Sequence, residues 1–270
     1  MVRVEMLAVG KELLIGKTMN SNAFWIGRRL ARMGSMVKEI TTVDDELDEI
    51  GAALMAIVRR SPDFLVVVGG LGPTPDDMTL KGIARALRLR LARDGEALRL
   101  IRAHYADRGM AGMALTPPRM KMATLPAGST PLENSVGTAP GVRLVAGRTV
   151  VFCLPGVPAE MRGIFRRSVE PEIRAKVGEI FRRNVTMRLK GVPEAALAPA
   201  LARAMKRHPG AYIKSHPRGT SEGVSRILID VVVAGPDRGR ADEEAEAILR
   251  ELGGAAEALG GTVGAAGSSD

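Results

Sequence analysis

The stretch VVVGGLGPTPDDMT, residues 66–79, decides the fold. Phe64–Val68 is a continuous apolar, β-branched run, the pattern of a strand buried on both faces. Three glycines follow within four residues, Gly69, Gly70 and Gly72, and allow tight turns and close approach of main chain to a ligand. Helical periodicity then begins near Thr79 and runs to about Leu87. A buried strand, a glycine turn and a helix form half of an α/β unit, and in open α/β sheets ligands bind at this strand-to-helix edge. The free N–H groups of the helix start can face an anion. Asp76 and Asp77 place two carboxylates there, which suit a phosphate only if a divalent cation lies between. A plainer reading is that one Asp caps the helix. No Gly-Lys-Ser/Thr follows, so this is not a P-loop, nor is it the GxGxxG dinucleotide fingerprint.

Working outward, VRVEMLAVG (2–10), MVKEITTV (36–43) and TVVFCL (149–154) read as further strands. Helical spacing marks a segment after Asn20 and Ser21 that ends at Gly34, another through Leu47, Ile50, Leu54 and Val58, one from Gly95 to about Arg108, and one after PGVPAEM (155–161) to about Arg167. Short strands are expected at 120–125 and 142–146. Alternating strands and helices predict a three-layer α/β/α domain over 1–175 with a parallel-rich sheet. The rhythm then changes: strand NVTMRLKG, helix PEAALAPALARAMKRH, strand AYIKS, loop HPRGTSEG (216–223), strand SRILIDVVVA and a helix from about Arg240 predict a small α+β domain over 180–260. Residues 261–270, rich in Gly, Ala and Ser, are expected to be a flexible tail.

Four more segments fall at the same sheet edge. GKELLIGKTMNSNA (10–23) offers Glu12, Asn20 and Asn22, and amide side chains suit a ribose or base as well as a helix cap. TTVDDELDE (41–49) presents Asp44 and Asp45, which could equally be charges at a helix start. ENSVGTAPGV (133–142) and PGVPAEM complete the set.

The chain of 270 residues carries a formal charge of +9, which invites a nucleic-acid reading. The excess is uneven, because residues 1–80 hold 11 acidic and 9 basic groups whereas 81–125 and 171–240 are strongly basic. Aromatic residues make up only 3%, so stacking platforms are scarce, and an anionic small molecule is the expected partner rather than nucleic acid. No apolar run approaches the ~20 residues of a membrane span. The opening MVRVEMLAVG carries Glu5 in its apolar run and has no small-residue cleavage site, so no secretory signal and a cytoplasmic location are expected. Cys153, the single cysteine, is expected as a buried structural thiol. His104, His208 and His216 have no metal-ligand spacing.

Taken in order, GKELLIGKTMNSNA, TTVDD, VVVGGLGPTPDDMT, NSVGTAPG and LPGVPAEM resemble the N-terminal domain of the CinA family (competence/damage-inducible protein A), a molybdopterin-binding, MoaB/MogA-like fold. The resemblance covers about 1–170, and 184–260 is similar, by element order, to the small KH/ferredoxin-like middle domain of that family. It implies a metal-dependent pyrophosphatase that releases AMP from ADP-ribose or FAD, with Mg, Mn or Co. It leaves open molybdopterin binding or adenylyl transfer in molybdenum cofactor biosynthesis, or a non-catalytic nucleotide- or RNA-binding module. On this resemblance Asp77 and Asp45, with Asp44 beside it, are the catalytic acids, and Asp77, Asp45 and Asp76 the metal-binding group. Gly69, Gly70, Gly72 and Thr74 would cradle phosphate, while Ser135, Gly137, Thr138, Pro155 and Gly156 would line the pocket. Lys11 departs from the family pattern at a position that could touch phosphate or displace a metal ligand. Full-length bacterial members continue into a nicotinamide-nucleotide deamidase domain; that domain and its reaction are not expected of these residues. The family also implies a homo-oligomer, dimer or trimer.

Overall fold

A computed structural model describes residues 2–268 apart from 111, 113, 115, 222 and 223. The chain divides into two compact units, Met1–Gly178 and Glu179–Asp270.

The first unit begins with β1 (Arg3–Val9), α1 (Lys11–Leu14), α2 (Ser21–Arg32), β2 (Met36–Val43), α3 (Leu47–Arg60), β3 (Phe64–Val68) and α4 (Thr79–Ala86). It continues with β4 (Leu91–Arg93), α5 (Gly95–Ala106), α6 (Pro117–Lys121), β5 (Thr124–Pro126), β6 (Thr130–Leu132), β7 (Gly141–Ala146), β8 (Thr149–Leu154), α7 (Pro158–Ile164) and α8 (Glu170–Val177). A five-residue π-helical segment, Phe165–Val169, joins α7 to α8. The main sheet has the order β2-β1-β3-β8-β7-β6. Its first four strands are mutually parallel, and β7 and β6 add antiparallel.

Both faces of this sheet are covered, which explains its unbroken apolar strands. Alternate residues go to opposite sides. Val4, Met6, Val66 and Phe152 pack with Ile26 and Leu30 of α2 and Met161 of α7. Leu7, Leu65, Val67 and Cys153 pack with Ile50 and Leu54 of α3, Ile83 of α4 and Ile101 of α5. The result is the expected three-layer α/β/α unit. Burial drives the Cys153 thiol well above its ordinary value, consistent with an inert structural role.

The second unit contains β9 (Phe181–Lys190), α9 (Glu194–Arg207), β10 (Tyr212–Ser221), β11 (Val224–Gly235), α10 (Arg238–Ala258) and β12 (Thr262–Ser268). Its antiparallel sheet has the order β10-β11-β9-β12, the split ferredoxin-like βαββαβ arrangement. Its core of Val185, Met187, Leu189, Ile227, Ile229 and Val231 packs against Leu197 and Leu201 of α9 and Ile248 and Leu252 of α10.

Three expectations are corrected. Residues 261–270, read as a flexible tail, place Thr262–Ser268 in β12, paired with β9. Pairing there is through main chain, so Gly, Ala and Ser give no side-chain signal, and the register shifts between Gly264 and Gly267. The loop expected at 216–223 is largely strand, since β10 runs to Ser221; Glu222 and Gly223 lie outside the described residues. The strand expected at 120–125 begins only at Thr124, because Pro117 and Pro118 start α6 just before it. Among the described residues no helix is long and apolar enough to cross a membrane.

Candidate functional site

Strands β1, β3 and β8 run parallel and deliver their C-terminal loops to one edge of the sheet. With Asp45, which follows β2, these loops line a cavity of about 830 Å³. That size lies within the ~300–1,000 Å³ typical of small-molecule sites.

The glycine turn is built by sterics. Gly69 has φ +111°, and a Cβ there would lie 2.1 Å from the main-chain oxygen of Val9. Only glycine lets β3 leave the sheet this close to the end of β1. Thr79, fully buried, closes the turn by donating from its hydroxyl to Gly69 O at 2.7 Å, while its N–H donates to Gly70 O at 3.2 Å. That first amide of α4 is therefore turned toward the glycines rather than left for an anion. Neither Asp76 nor Asp77 caps α4, whose N-cap is Met78 and has no side-chain cap. Asp77 instead accepts from the Thr74 N–H at 2.8 Å and the Thr74 hydroxyl at 2.5 Å. Lys121 Nζ donates to Thr74 O and braces the same turn. Burial lowers the Lys121 ammonium from its ordinary value, against the attraction of Asp77 and Asp76.

Asp44 and Asp45 separate in role. Neither caps α3, which starts after Glu46. Asp45 lines the cavity, and its Oδ2 accepts the Lys11 N–H at 3.0 Å. Burial raises its carboxyl above the usual value, opposed by that N–H and reinforced by Glu12, Asp44 and Asp76. Asp44 is outside the cavity lining; it accepts the Asp45 N–H at 2.7 Å and pairs with Lys11 Nζ at 3.0 Å. A hydrogen bond from Lys11 and the Asp45 N–H hold its carboxyl below the usual range. Lys11 thus engages Asp44 through its ammonium and Asp45 through its main chain.

Of the other expected site residues, Glu12, Asn20, Asn22, Gly69, Gly70, Gly72, Asp76, Asp77, Thr138, Pro155 and Gly156 all line the cavity. Asn20 also caps α2 by accepting the Ala23 N–H at 3.0 Å. Asn22 Nδ2 donates to Gly156 O at 2.7 Å, tying the loops after β1 and β8, while its Oδ1 is buried with no partner. Thr74, Ser135 and Gly137 do not line the cavity. Thr74 acts on Asp77. At Gly137 a Cβ would fall 2.1 Å from the Glu160 carboxyl carbon, so that carboxylate occupies the space a side chain would take. Ser135 is exposed, because the loop turns about its neighbour Asn134.

Asn134 escaped the sequence reading. It is buried, accepts the N–H groups of Val136 and Gly137, and donates to Ala139 O and to Glu160 Oε2 at 2.6 Å. Tyr105 and Arg119 were also missed. They line the cavity from α5 and α6, with the guanidinium 4.9 Å from the ring centroid and Arg119 Nε donating to the Tyr105 hydroxyl at 3.1 Å. No local motif marks them, since only the fold brings α5 and α6 to this edge.

The family described as "Probable molybdopterin binding domain" matches residues 5–175, well over half of the chain. The chain belongs to that family. A protein of Pyrobaculum arsenaticum is 40% identical over 246 residues, 91% of this chain and 90% of its own. A CinA-like protein of Frankia casuarinae is 42% identical over 211 residues, 76% of this chain but 48% of its own length, so this chain spans about half of it. The crystal structure of CinA from Thermoplasma acidophilum, described as of unknown function, is 41% identical with a TM-score of 0.57, covering 63% of this chain and 98% of that one. This molybdopterin-binding-domain protein is thus CinA-like in sequence and in the fold of its first unit.

Proposed function

We propose that this CinA-like protein is a metal-dependent nucleotide pyrophosphatase, with ADP-ribose or FAD as substrate and AMP as one product. One observation carries the reading: Asp45, Asp76 and Asp77 meet in one cavity beside a glycine turn, with Arg119 on its wall. Among the described residues no three acidic, imidazole or thiol groups are gathered into a ready-made metal cage. The donor set nonetheless fits a hard cation, which commonly takes one or two carboxylates and completes its shell with substrate phosphates and water. Asp45 and Asp77 would hold it, with Asp76 beside them. When bound, the cation supplies neutralisation of phosphate charge as water displaces AMP at phosphorus. The chain's own residues position the reactants. Lys11 N–H and Thr74 fix one oxygen each of Asp45 and Asp77. Asn22 joins two of the lining loops, and the Tyr105–Arg119 pair offers a flat cationic surface to a base or ring.

The test is AMP release from ADP-ribose and from FAD, each with Mg²⁺, Mn²⁺ or Co²⁺ and with chelator. Release that requires metal is expected, and its absence with every pair refutes the reading. The matched family's description favours a second reading, binding or adenylylation of molybdopterin by the same cavity. A pterin copurifying from a host that makes the cofactor, without AMP release, would select it.

A further inference from the structure

We propose that the open face of the second unit's sheet binds a single-stranded polynucleotide. The observation is a separation of charge across a two-layer unit. Alternate residues of β9 and β11 point toward α9 and α10 and form the core. The register places the other set on the opposite face: Arg182, Arg188 and Lys190 on β9, Arg226 on β11, and Lys214 on β10. Lys190 lies opposite Arg226, and Arg188 lies two residues along the same strand.

None of these five cations has a carboxylate within ion-pair distance among the described residues. Cations on the helix side do: Arg183 pairs with Asp242, Arg207 with Glu251, and Arg250 with Glu246. Asp230 is the one acid among the described residues of the open face, and it is already engaged, accepting from Thr186 at 2.7 Å and lying 3.2 Å from His216 Nε2. Arg188, Lys190, Lys214 and Arg226 are exposed, whereas Arg182 is half-buried.

Charge complementarity selects a polyanion, and shape selects which one. Entering a duplex groove takes a protruding helix or two-stranded ribbon, which a flat four-stranded sheet lacks. A single strand can lie across the sheet, with phosphates on the cations and a base against the exposed ring of Tyr212, at the edge of the same face. The low aromatic content of the whole chain argued against this partner, yet Tyr212, one of its two tyrosines, stands on this surface.

The experiment is fluorescence anisotropy of labelled oligouridylate and oligothymidylate with the full chain, titrated at several salt concentrations. Phosphate contacts from the four exposed cations, Arg188, Lys190, Lys214 and Arg226, give a log–log salt slope of about −2.8, a roughly 50-fold loss of affinity between 50 and 200 mM salt. Replacing Arg188, Lys190 and Arg226 together by alanine should cut the slope to about −0.7 and the affinity at low salt at least about tenfold. The R188K/R226K variant keeps the charge and should keep the slope, which separates lost contacts from lost folding. The R240A/R250A variant, altered on α10, should bind as the parent does. No binding at low salt overturns the proposal. So does equal binding by the triple alanine variant, or competition by polyglutamate or anionic vesicles as effective as by oligonucleotide.

Discussion

Asp77 can be changed in two ways that separate its support of the turn from its chemistry. Its Oδ2 accepts two hydrogen bonds from Thr74, at 2.8 Å from the N–H and 2.5 Å from the hydroxyl. In Asp77→Asn the amide oxygen can accept both, so the turn keeps its geometry while the charge is lost. In Asp77→Ala both bonds go. Such bonds to a charged group contribute about 1.5–3 kcal/mol each when shielded, but Thr74 is exposed, so the loss is about 1–2 kcal/mol in total. In a unit of this size about 1 kcal/mol moves the thermal transition by ~2–4 °C. Asp77→Ala should therefore melt about 2–8 °C lower than the parent, and Asp77→Asn within about 2 °C of it. If the carboxylate acts in hydrolysis, both should lose metal-dependent AMP release alike, by roughly 10²–10³, the scale of removing one electrostatic contact to a developing charge. Calorimetry and a coupled AMP assay on the same preparations decide the matter. An Asp77→Asn enzyme with the turnover of the parent refutes the reasoning, because it assigns Asp77 to the turn alone.

Three other outcomes are expected. Gly69→Ala puts a methyl 2.1 Å from a main-chain oxygen of β1 at φ +111°, where no side chain can yield, and should cost more than about 3 kcal/mol; a transition within a degree of the parent would contradict the close approach. Arg119→Ala removes the guanidinium over Tyr105 and should weaken ADP-ribose binding about tenfold by calorimetric titration, with stability within about 0.5 kcal/mol; unchanged affinity would remove this wall from the site. Burial tends to raise the Glu170 carboxyl, but hydrogen bonds from Arg29 and Arg174 win and hold it below its ordinary value of 4.5, so the stability it contributes is present above that value and is lost as pH falls through the lower, folded-state one. Glu170→Gln should thus melt lower than the parent at pH 7, by about 2–3 kcal/mol for a mostly buried pair with partly exposed arginines, and the gap should close in strong acid; a gap independent of pH would assign the effect to packing.

The first unit was legible because its signals are side-chain signals. Continuous apolar strands mean a sheet covered on both faces, and each strand ends at glycine, acid or proline where its loop begins. The loops after β1, β2, β3 and β8 could be placed at one edge for that reason, and most of the residues chosen from them line the cavity. What could not be read was the work of main chain and of distant partners. That Thr74 holds Asp77 could not be read from the motif, and Gly137, expected to line the pocket, instead leaves the space that the Glu160 carboxylate occupies. Tyr105 and Arg119 reach the site through α5, whose pattern reports its buried side, and α6, a five-residue helix with no buried residue to mark it. β12 is the extreme case, a strand of small residues whose pairing with β9 leaves almost no trace in composition.

The net charge of +9 says little about the cavity, where the balance is reversed. Its lining includes the carboxylates of Glu12, Asp45, Asp76, Asp77 and Glu160, against the single cation Arg119 among the described residues. Asn134, the Lys11 N–H and Thr74 give hydrogen bonds to Glu160, Asp45 and Asp77, but these donors are neutral, so all five carboxylates oppose an incoming diphosphate. At ~4 Å and an effective dielectric constant of ~20, each like-charge contact costs on the order of 4 kcal/mol. That is more than one guanidinium can offset for a ligand carrying two charges. A diphosphate should therefore bind this cavity poorly on its own and far better with a divalent cation. The dependence on cation then bears directly on the choice of ligand. If chelator leaves the affinity for ADP-ribose unchanged, the acids are not holding a cation against its phosphates. The pyrophosphatase reading then fails at the binding step, before turnover is measured, while a role in binding a pterin ring against Tyr105 and Arg119 would survive.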